Sequence, residues 1–253
     1  MSAQDPRNKF KTDNYEKQEQ EVPGIQAKMS PQPDCGEDSY HGHHRLDGFK
    51  ILVTGGDSAI GRAAAIAYAK EGADVAINYL PSEQQDADDV KQIIENVGQK
   101  AILIPGDIRD EQFNYDMVEE AYQQLGGLDN VTLVAGHQLY QDELSEFKTQ
   151  DFTETFETNV YPVFWTVQKA LEYLQPGGSI TTTSSVQGYK PAAILHDYAA
   201  SKAAIISLTK SLSEEFGSKG IRVNSVAPGP FWSPLQISGG QPQSAIPEFG
   251  QAT

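Results

Sequence analysis

The sequence predicts a doubly wound α/β fold, in which helices cover both faces of a parallel β-sheet. Short runs rich in Ile, Val and Leu alternate with amphipathic segments of helical length from about residue 47 onwards. Glycines such as Gly72, Gly98 and Gly220 stand where a helix should end and the next strand begin. The 253 residues, of which 38% are hydrophobic, suffice for one substantial core but not for a second large domain. We therefore expect one three-layer α/β/α domain over residues 47–253.

Six apolar runs are the predicted strands, in chain order 50–54, 74–78, 100–105, 130–136, 178–184 and 221–228. Five stretches with helical periodicity lie between them, at 60–71, 82–97, 110–125, 149–175 and 197–217. Strands separated by helices in this way imply successive βαβ units. Pro162 lies inside the fourth helical stretch and removes the helical hydrogen-bond partner of Thr158, so we expect a kink there. The pattern alone leaves the order of the strands open.

Residues 1–46 differ from the rest of the chain, since they consist largely of Gln, Asp, Glu, Lys and Pro with few large aliphatic side chains. Such a stretch cannot bury enough apolar surface to offset its own ordering entropy. We therefore expect a polar, extended N-terminal arm, disordered on its own or laid over a partner surface. A role in assembly, with the arm wrapping a neighbouring subunit, is a further hypothesis.

The chain carries 19 basic and 35 acidic residues, which gives a formal net charge of -16. Such a field repels nucleic-acid backbones and anionic lipid, so neither nucleic acid nor a membrane surface is an expected partner. The sequence shows no apolar leader and no membrane-spanning run, and its single cysteine, Cys35, fits a reducing cytoplasm. His41, His43 and His44 lie near this cysteine, but their spacing fits no tetrahedral site, so no metal is expected.

The first strand–helix junction, LVTGGDSAIGRAAAIAYA, is rich in glycine. A buried strand runs into Thr54, Gly55 and Gly56, and a helix opens around residues 59–61. Glycines at this place permit a tight turn and a close approach of the backbone to a pyrophosphate, while the helix N-terminus offers free N–H groups to the anion. The junction therefore predicts a dinucleotide site. The alternative is a turn that needs positive φ angles and nothing more.

The end of the second strand bears on which dinucleotide binds, because a carboxylate there would hold the adenosine ribose diol and repel a 2′-phosphate. This strand ends Ile77-Asn78-Tyr79-Leu80, without an acid at its tip. The absence slightly favours NADP(H) over NAD(H). Arg62, just inside the following helix of the Gly-rich junction, is the basic residue expected nearby.

Tyr198 and Lys202 are four residues apart in DYAASK, a spacing that stacks both side chains on one face of a helix. Ser185 precedes them in TTTSSVQG, at the C-terminal end of a predicted strand, where ligand sites of open α/β sheets lie. A phenol with a pKa of about 10 exchanges protons poorly near neutral pH, and a neighbouring ammonium would lower that pKa. The set predicts Tyr198 as a general acid/base tuned by Lys202, with Ser185 bonding the substrate oxygen. The alternative is that Tyr198 packs on the sheet and Lys202 extends to water.

Five stretches together resemble the short-chain dehydrogenase/reductase family: TGGDSAIG, FETNVYPVFW, SSVQG, YAASK and RVNSVAPGP. The resemblance runs from about residue 47 to the end of the chain. Within the family, the polar arm, GGDSAIGR, LVAGHQ and PLQISGGQPQ look like a bacterial subgroup of uncharacterised oxidoreductases, some called general stress proteins. The resemblance implies a Rossmann fold and NAD(P)(H)-dependent hydride transfer between the cofactor and a small carbonyl or secondary alcohol. It also implies a homo-oligomer, a dimer or a homotetramer.

The resemblance implies roles for individual residues as well. Tyr198 would be the acid/base, Lys202 would bind the nicotinamide ribose and depress the Tyr198 pKa, and Ser185 would orient the substrate. Asn159 would hold a water molecule that relays protons through Lys202. The residues that would contact the cofactor are Gly55, Asp57, Ser58, Ile60, Gly61, Asn78, Tyr79, Asp107, Ile108, Ala135, Gly136, Tyr198, Lys202, Pro228 and Gly229. Asp107 has an alternative role as the cap of the next helix.

Three features depart from the family pattern. Ala59 stands in place of the second glycine of the loop, and Val134 in place of an Asn that links neighbouring strands. The chain ends at Thr253, before the helix and strand with which family members continue, so we expect a sheet without them and 221–228 as an exposed edge. The alternative function is therefore a catalytically degenerate or truncated nucleotide-binding scaffold subunit. The side chains expected as walls of the site rather than as catalysts are His137, His196, Phe231 and Trp232.

Overall fold

The computed structural model describes residues 14–251, and this part of the chain forms one sheet of six parallel strands. The strands are β1 Lys50–Thr54, β2 Asp74–Tyr79, β3 Ala101–Pro105, β4 Asn130–Leu133, β5 Ser179–Thr183 and β6 Arg222–Val226. Their order in the sheet is β3-β2-β1-β4-β5-β6. The chain winds outwards from β1 to β3 and then crosses to β4 on the other side of β1, so the winding direction reverses between β1 and β4. The predicted doubly wound parallel sheet is confirmed.

The described residues also form six α-helices: α1 Ala59–Lys70, α2 Gln84–Asn96, α3 Glu111–Leu125, α4 Thr149–Asn159, α5 Tyr161–Ala170 and α6 His196–Gly217. Successive side chains of a strand point to opposite faces, so β1 shows how the helices divide between the two sides of the sheet. Ile51 and Val53 pack with apolar residues of α1 and α2, whereas Leu52 packs with those of α3, α5 and α6. The result is three layers with a buried core on each face.

The stretch 149–175, predicted as one kinked helix, folds as the two helices α4 and α5. They meet at Val160, whose φ of -110° departs from helical values. Pro162 lies in the first turn of α5, where its missing N–H removes no helical hydrogen bond. The proline therefore starts a new helix rather than bending an old one, and α5 ends at Ala170, before the predicted limit.

Residues 14–46 lie along the surface of their own domain. The backbone N–H groups of Gln26 and Ala27 donate to the carboxylate of Asp86 in α2, at 2.6 and 3.0 Å. Met29 is buried in a small apolar cluster with Ile237 and Ile246. This part of the arm is thus anchored to distant residues of the same chain, and its contact with a neighbouring subunit stays a prediction. Residues 1–13 of the arm lie outside the described residues.

Strand β6 forms one edge of the sheet within residues 14–251, because it pairs only with β5 there. Four of its five residues are exposed, namely Arg222, Asn224, Ser225 and Val226. Three of these are polar, which makes the edge a poorer template for unwanted strand pairing than an apolar edge would be. Thr253, on which the expectation of a shortened sheet depends, lies outside the described residues.

Residues 14–251 carry neither a membrane-spanning helix nor a cluster of metal-binding side chains. No helix there combines the length and the apolar character that crossing a bilayer requires. The same residues contain no group of three or more His, Cys, Asp and Glu side chains that could hold a metal ion. Cys35 is buried, and burial raises the pKa of its thiol to about 11, so it is held as an unreactive thiol.

Candidate functional site

A cavity of about 480 Å³ opens at the C-terminal ends of the strands, around the point where the winding reverses between β1 and β4. Residues that follow each of the six strands contribute to its walls, so the cavity collects side chains that are far apart in the sequence. The predicted site residues that line it are Gly55, Asp57, Ser58, Ile60, Asn78, Tyr79, Asp107, Ile108, Ala135, Gly136, Ser185, Tyr198, Lys202, Pro228 and Gly229. Gly61 and Asn159 were predicted here as well, but neither lines the cavity.

The Gly-rich loop after β1 is packed too tightly to carry side chains. Gly55 has a φ of +62°, and a Cβ there would lie 2.9 Å from Cα of Ala135. A Cβ at Gly56 would lie 2.6 Å from the Ile77 side chain. At Gly61 it would lie only 1.8 Å from the carbonyl oxygen of Gly55, so this glycine lets α1 start directly against the loop. Gly61 thus has a packing role in the structure, and its predicted cofactor contact stays a prediction.

The start of α1 faces the cavity, since its first residues Ala59 and Ile60 line it together with Ser58, which precedes the helix. The N–H groups in the first turn of a helix lack intrahelical partners, and the helix dipole adds positive potential there. An anion such as a pyrophosphate suits this position. Ala59 has a φ of +46°, in the left-handed region that costs a non-glycine residue roughly 1–2 kcal/mol. The alanine in place of the family's second glycine thus occupies a strained conformation.

Two buried carboxyl groups, those of Asp57 and Glu83, line the cavity near the end of β2. Asp57 is 1% exposed, and its Oδ2 has no hydrogen-bond partner within residues 14–251. Burial raises the pKa of Asp57 to about 7, and the charge of Asp86 adds to the effect while Arg62 opposes it. Burial raises the pKa of Glu83 to about 8, with a smaller addition from the charge of Asp57. Both carboxyl groups therefore titrate near neutral pH.

Glu83 was not among the predicted site residues, because it lies in the turn beyond the tip of β2. Its carboxylate turns back and accepts a hydrogen bond from the Leu80 N–H at 2.9 Å, which brings it beside the strand end. An acid in the turn that follows β2 is the signal that could have found it. The predicted tip residue Asn78 instead ties β2 to β3, because its amide donates to the carbonyl oxygens of Ile104 and Gly106.

Arg62, the basic residue expected near a 2′-phosphate, lies elsewhere. Its side chain is buried between Glu37 of the arm and Asp89 of α2, with N–O distances of 2.8 and 2.5 Å, and it does not line the cavity. Arg109 lines the cavity instead. No sequence motif marks this residue, since its position depends on an ion pair with Glu154, 45 residues later in the chain.

An ion pair with Arg109 holds the side chain of Asp107 in place. The Nη2 atom of Arg109 lies 2.6 Å from Oδ2 of Asp107, and both residues line the cavity. The cap of α3 is Asp110, whose carboxylate accepts the Phe113 N–H at 2.8 Å. The alternative role of Asp107 as the helix cap is therefore wrong.

Ser185, Tyr198 and Lys202 meet on one wall of the cavity. All three are buried, and the two helical residues lie at the start of α6 while Ser185 follows β5. The Nζ atom of Lys202 lies 5.4 Å from the centre of the Tyr198 ring and donates to the Thr183 carbonyl at 2.9 Å. The Ser185 hydroxyl accepts the Gln187 N–H at 3.1 Å, which fixes its rotamer. Lys202 is 3% exposed, so the alternative in which it extends to water is wrong.

The protein's own groups shift the pKa values of this wall in an unexpected direction. Burial raises the pKa of Tyr198, and a hydrogen bond with Ser185 opposes the rise without cancelling it. Burial lowers the pKa of Lys202 to about 8. Burial is the largest cause, so the pKa of Tyr198 lies above its usual value among the described residues, and its depression by Lys202 stays a prediction. Both groups are held towards their neutral forms.

Asn159 supports this wall from behind. It is 1% exposed; its Oδ1 accepts the His137 N–H at 2.6 Å, and its Nδ2 donates to the His137 carbonyl and to Ser201 Oγ. A Cβ at Gly136 would lie 3.3 Å from Oδ1 of Asn159 and 3.4 Å from Nζ of Lys202, so the amide and the ammonium both lie against the bare backbone there. The side chain of Asn159 thus links α4 to the segment after β4 and to α6.

Two of the four residues expected as walls of the site line the cavity, and two do not. His137 and Phe231 line the cavity, and burial lowers the pKa of His137, which keeps its ring neutral. His196 is exposed at the start of α6 and does not line the cavity. Trp232 is also absent from the lining, because it stacks on Tyr15 of the arm with ring centres 4.0 Å apart.

Known proteins resemble the chain in both sequence and structure. It is 58% identical to the uncharacterized oxidoreductase YhxD of Bacillus subtilis (strain 168) over 98% of its own length and 83% of that protein. It is 42% identical to General stress protein 39 of the same organism, over 91% of this chain and 80% of that protein. These relatives confirm the resemblance to bacterial uncharacterised oxidoreductases and general stress proteins.

A solved structure and a family description lead to the same result. A short chain dehydrogenase from Burkholderia cenocepacia J2315 in complex with NADP superposes with a TM-score of 0.74 at 35% identity, over 81% of this chain and 86% of that one. The family model for short chain dehydrogenases matches residues 50–243 of this chain. The matched segment begins at β1 and includes the Gly-rich loop, both carboxyl groups and the Ser185–Tyr198–Lys202 wall. The chain belongs to the short-chain dehydrogenase family.

Proposed function

We propose that the chain is an NAD(P)(H)-dependent oxidoreductase that transfers a hydride between the nicotinamide and a small carbonyl or secondary alcohol substrate. The observation that carries the proposal is the buried cluster of Ser185, Tyr198 and Lys202, which shares one cavity with the Gly-rich loop. Membership of the family and the NADP complex of a relative support the same chemistry. A homo-oligomeric state and a cytoplasmic location stay predictions.

The residues of the cavity suit a dinucleotide. The loop glycines leave the backbone bare, and the start of α1 offers N–H groups to a pyrophosphate. The buried Oδ2 of Asp57 lacks a partner within residues 14–251, and a ribose hydroxyl is a donor that would satisfy it. A bound nicotinamide supplies or accepts the hydride, while the protein provides orientation and the proton. The residues that would hold the cofactor are Gly55, Asp57, Ser58, Ile60, Ala135, Gly136, Lys202, Pro228 and Gly229.

Tyr198 is the proton donor in the direction of carbonyl reduction. As the substrate oxygen gains negative charge, the Tyr198 O–H gives it a proton, which leaves a hydroxyl group on the substrate and a phenolate on the protein. The Ser185 hydroxyl donates a hydrogen bond to the same oxygen and stabilises its charge. The ammonium of Lys202 stabilises the phenolate until solvent returns the proton. Because burial raises the Tyr198 pKa, the phenol stays protonated at neutral pH, which suits reduction better than oxidation.

The choice between the two dinucleotides depends on pH in this proposal. The absence of an acid at the tip of β2 favours NADP(H) slightly, but Asp57 and Glu83 line the same end of the cavity. A carboxyl group is neutral below its pKa and anionic above it, and the pKa values here are about 7 and about 8. Raising the pH through this range adds negative charge that repels a 2′-phosphate more than a ribose diol. We therefore expect the preference for NADP(H) over NAD(H) below about pH 7, and a weaker preference at higher pH.

Raising the pH from about 6 to about 9 is expected to increase the ratio of the NADPH Kd to the NADH Kd roughly tenfold. Fluorescence titration of both reduced cofactors at each pH measures this ratio. The double variant Asp57→Asn, Glu83→Gln lacks the two carboxyl groups that titrate in this range, so its ratio should stay constant. An equal rise in the double variant would show that other groups discriminate between the cofactors.

The function itself is tested by binding and turnover together. The full chain is titrated with NADPH and NADH and then assayed with a panel of aldehydes, ketones and quinones. We expect saturable cofactor binding and reduction of at least one carbonyl class. Binding without turnover on any of them would favour the nucleotide-binding scaffold, and failure to bind either cofactor would overturn the proposal.

A further inference from the structure

Residues 14–46 of the N-terminal arm contact segments on two sides of the cavity. On one side lie the Gly-rich loop and the start of α2, and on the other lies segment 232–249, which follows β6. Val22 and Pro23 of the arm line the cavity directly. Since the arm reaches both sides in one continuous stretch, it is placed to determine how far apart they lie.

On the first side, Gln26 holds the strained residue of the loop. Its Oε1 accepts the Ala59 N–H at 2.7 Å, and its Nε2 lies 3.6 Å from Sγ of Cys35. That sulfur lies 3.6 Å from the Ala59 carbonyl oxygen. Both backbone polar groups of Ala59 are therefore met by side chains of the arm. These contacts favour a left-handed conformation that an alanine would otherwise leave.

Gln26 is itself rigidly placed. Only 3% of it is exposed, and its backbone N–H donates to Asp86 of α2 at 2.6 Å. The neighbouring Ala27 N–H donates to the other oxygen of the same carboxylate at 3.0 Å. Losing the acceptor oxygen of Gln26 would remove the protein partner of the Ala59 N–H.

On the second side, the arm contacts segment 232–249 at several points. The Ser238 hydroxyl donates to the Pro23 carbonyl at 3.1 Å, and the Trp232 indole donates to the Pro31 carbonyl at 2.8 Å. The backbone approaches closely at Gly24, where a Cβ would lie 3.0 Å from the Pro234 side chain. Ser238 lines the cavity, so these contacts reach its wall.

We propose that the N-terminal arm is part of the dinucleotide site, with Gln26 as the positioning residue that keeps the Gly-rich loop in its binding conformation. The inference rests on the proposed function, because it assumes that the loop receives the pyrophosphate of NAD(P)(H). Gln26 acts through Ala59. Its side-chain hydrogen bonds are with Ala59 and Cys35, and not with the Ser185–Tyr198–Lys202 wall. Its loss should therefore weaken cofactor binding and leave the chemical step unchanged.

The Gln26→Met variant tests this, because methionine keeps the length of the side chain and removes the acceptor. We expect its NADPH and NADH Kd values to rise roughly fivefold, the effect of one lost hydrogen bond, with kcat at saturating cofactor unchanged. Gln32→Met is the matched control, since Gln32 is an exposed arm residue whose amide donates only within the arm, to Ala27. Its Kd values should equal those of the unaltered chain.

Adding Ala59→Gly to Gln26→Met separates positioning from general stability. Glycine adopts a positive φ without strain, so the double variant should recover most of the lost affinity if Gln26 acts through the Ala59 conformation. Unchanged Kd values in a folded Gln26→Met chain, or a loss of melting temperature alone, would overturn the inference. If the unaltered chain bound neither cofactor, the proposed function would fail instead, so the two failures are distinguishable.

Discussion

Replacing Tyr198 with Phe is expected to lower kcat by roughly 10²- to 10⁴-fold, the range that a positioned proton donor contributes. The substitution removes the hydroxyl group and keeps the ring, which is 8% exposed and packed beside Lys202. The fold and the cofactor Kd should therefore change little. Steady-state kinetics with the best carbonyl substrate, together with a cofactor titration, measures both quantities.

Tyr189→Phe is the matched control for this prediction. Tyr189 lies in the connection between β5 and α6, is 68% exposed and does not line the cavity, so its variant should keep full turnover. Retention of full kcat by Tyr198→Phe would exclude the phenol as the proton donor. Loss of cofactor binding in the same variant would show that the hydroxyl group also holds the cofactor.

Replacing Lys202 with Met is expected to raise the cofactor Kd and to lower kcat, each by roughly tenfold or more, because hydrogen bonds of a charged group are lost. The ammonium donates to the Thr183 carbonyl and lies against the Tyr198 ring, so it bears on both the cavity wall and the proton donor. Lys210→Met, an exposed position on the same helix, is the control and should leave both constants unchanged. A kcat loss with an unchanged Kd would remove the cofactor-binding role of Lys202.

The same lysine should set the alkaline limit of reduction. Its pKa is lowered to about 8, so the ammonium is present below that pH and is lost as the pH rises through it. Burial raises the Tyr198 pKa, so the phenol keeps its proton over this range and cannot be the group that ionises first. The pH profile of kcat/KM should fall above about pH 8 in the unaltered chain. In Lys202→Arg the charge persists, and the fall should move to higher pH.

Most of the secondary structure followed from pattern because the strands are buried on both faces. Runs such as KILVT and DVAIN are nearly continuous in apolar residues, and glycines mark the helix ends that precede them. The order of the strands depends on which helix crosses which face, and no run of residues encodes that locally. The break at Val160 was anticipated only as a kink, since proline is compatible with either a bend or a new helix start.

The grouping of Ser185, Tyr198 and Lys202 at one cavity could be predicted because it depends on short spacings within one helix and one strand end. Glu83 and Arg109 could not, because each reaches the cavity through a contact made in the folded chain. The direction in which the Tyr198 pKa shifts depends on how completely several elements exclude water from the phenol. A sequence does not display this. Gln26 could not be predicted as a site residue either, because its contact with Ala59 joins residues that are 33 positions apart in the sequence.

The methyl group at position 59 has a consequence for how this chain can vary during evolution. A glycine in that position would hold the loop unaided, whereas alanine relies on a segment encoded about a hundred base pairs upstream. We therefore expect a related gene that has lost the codon for Gln26 to encode glycine at position 59, so that these two codons change together.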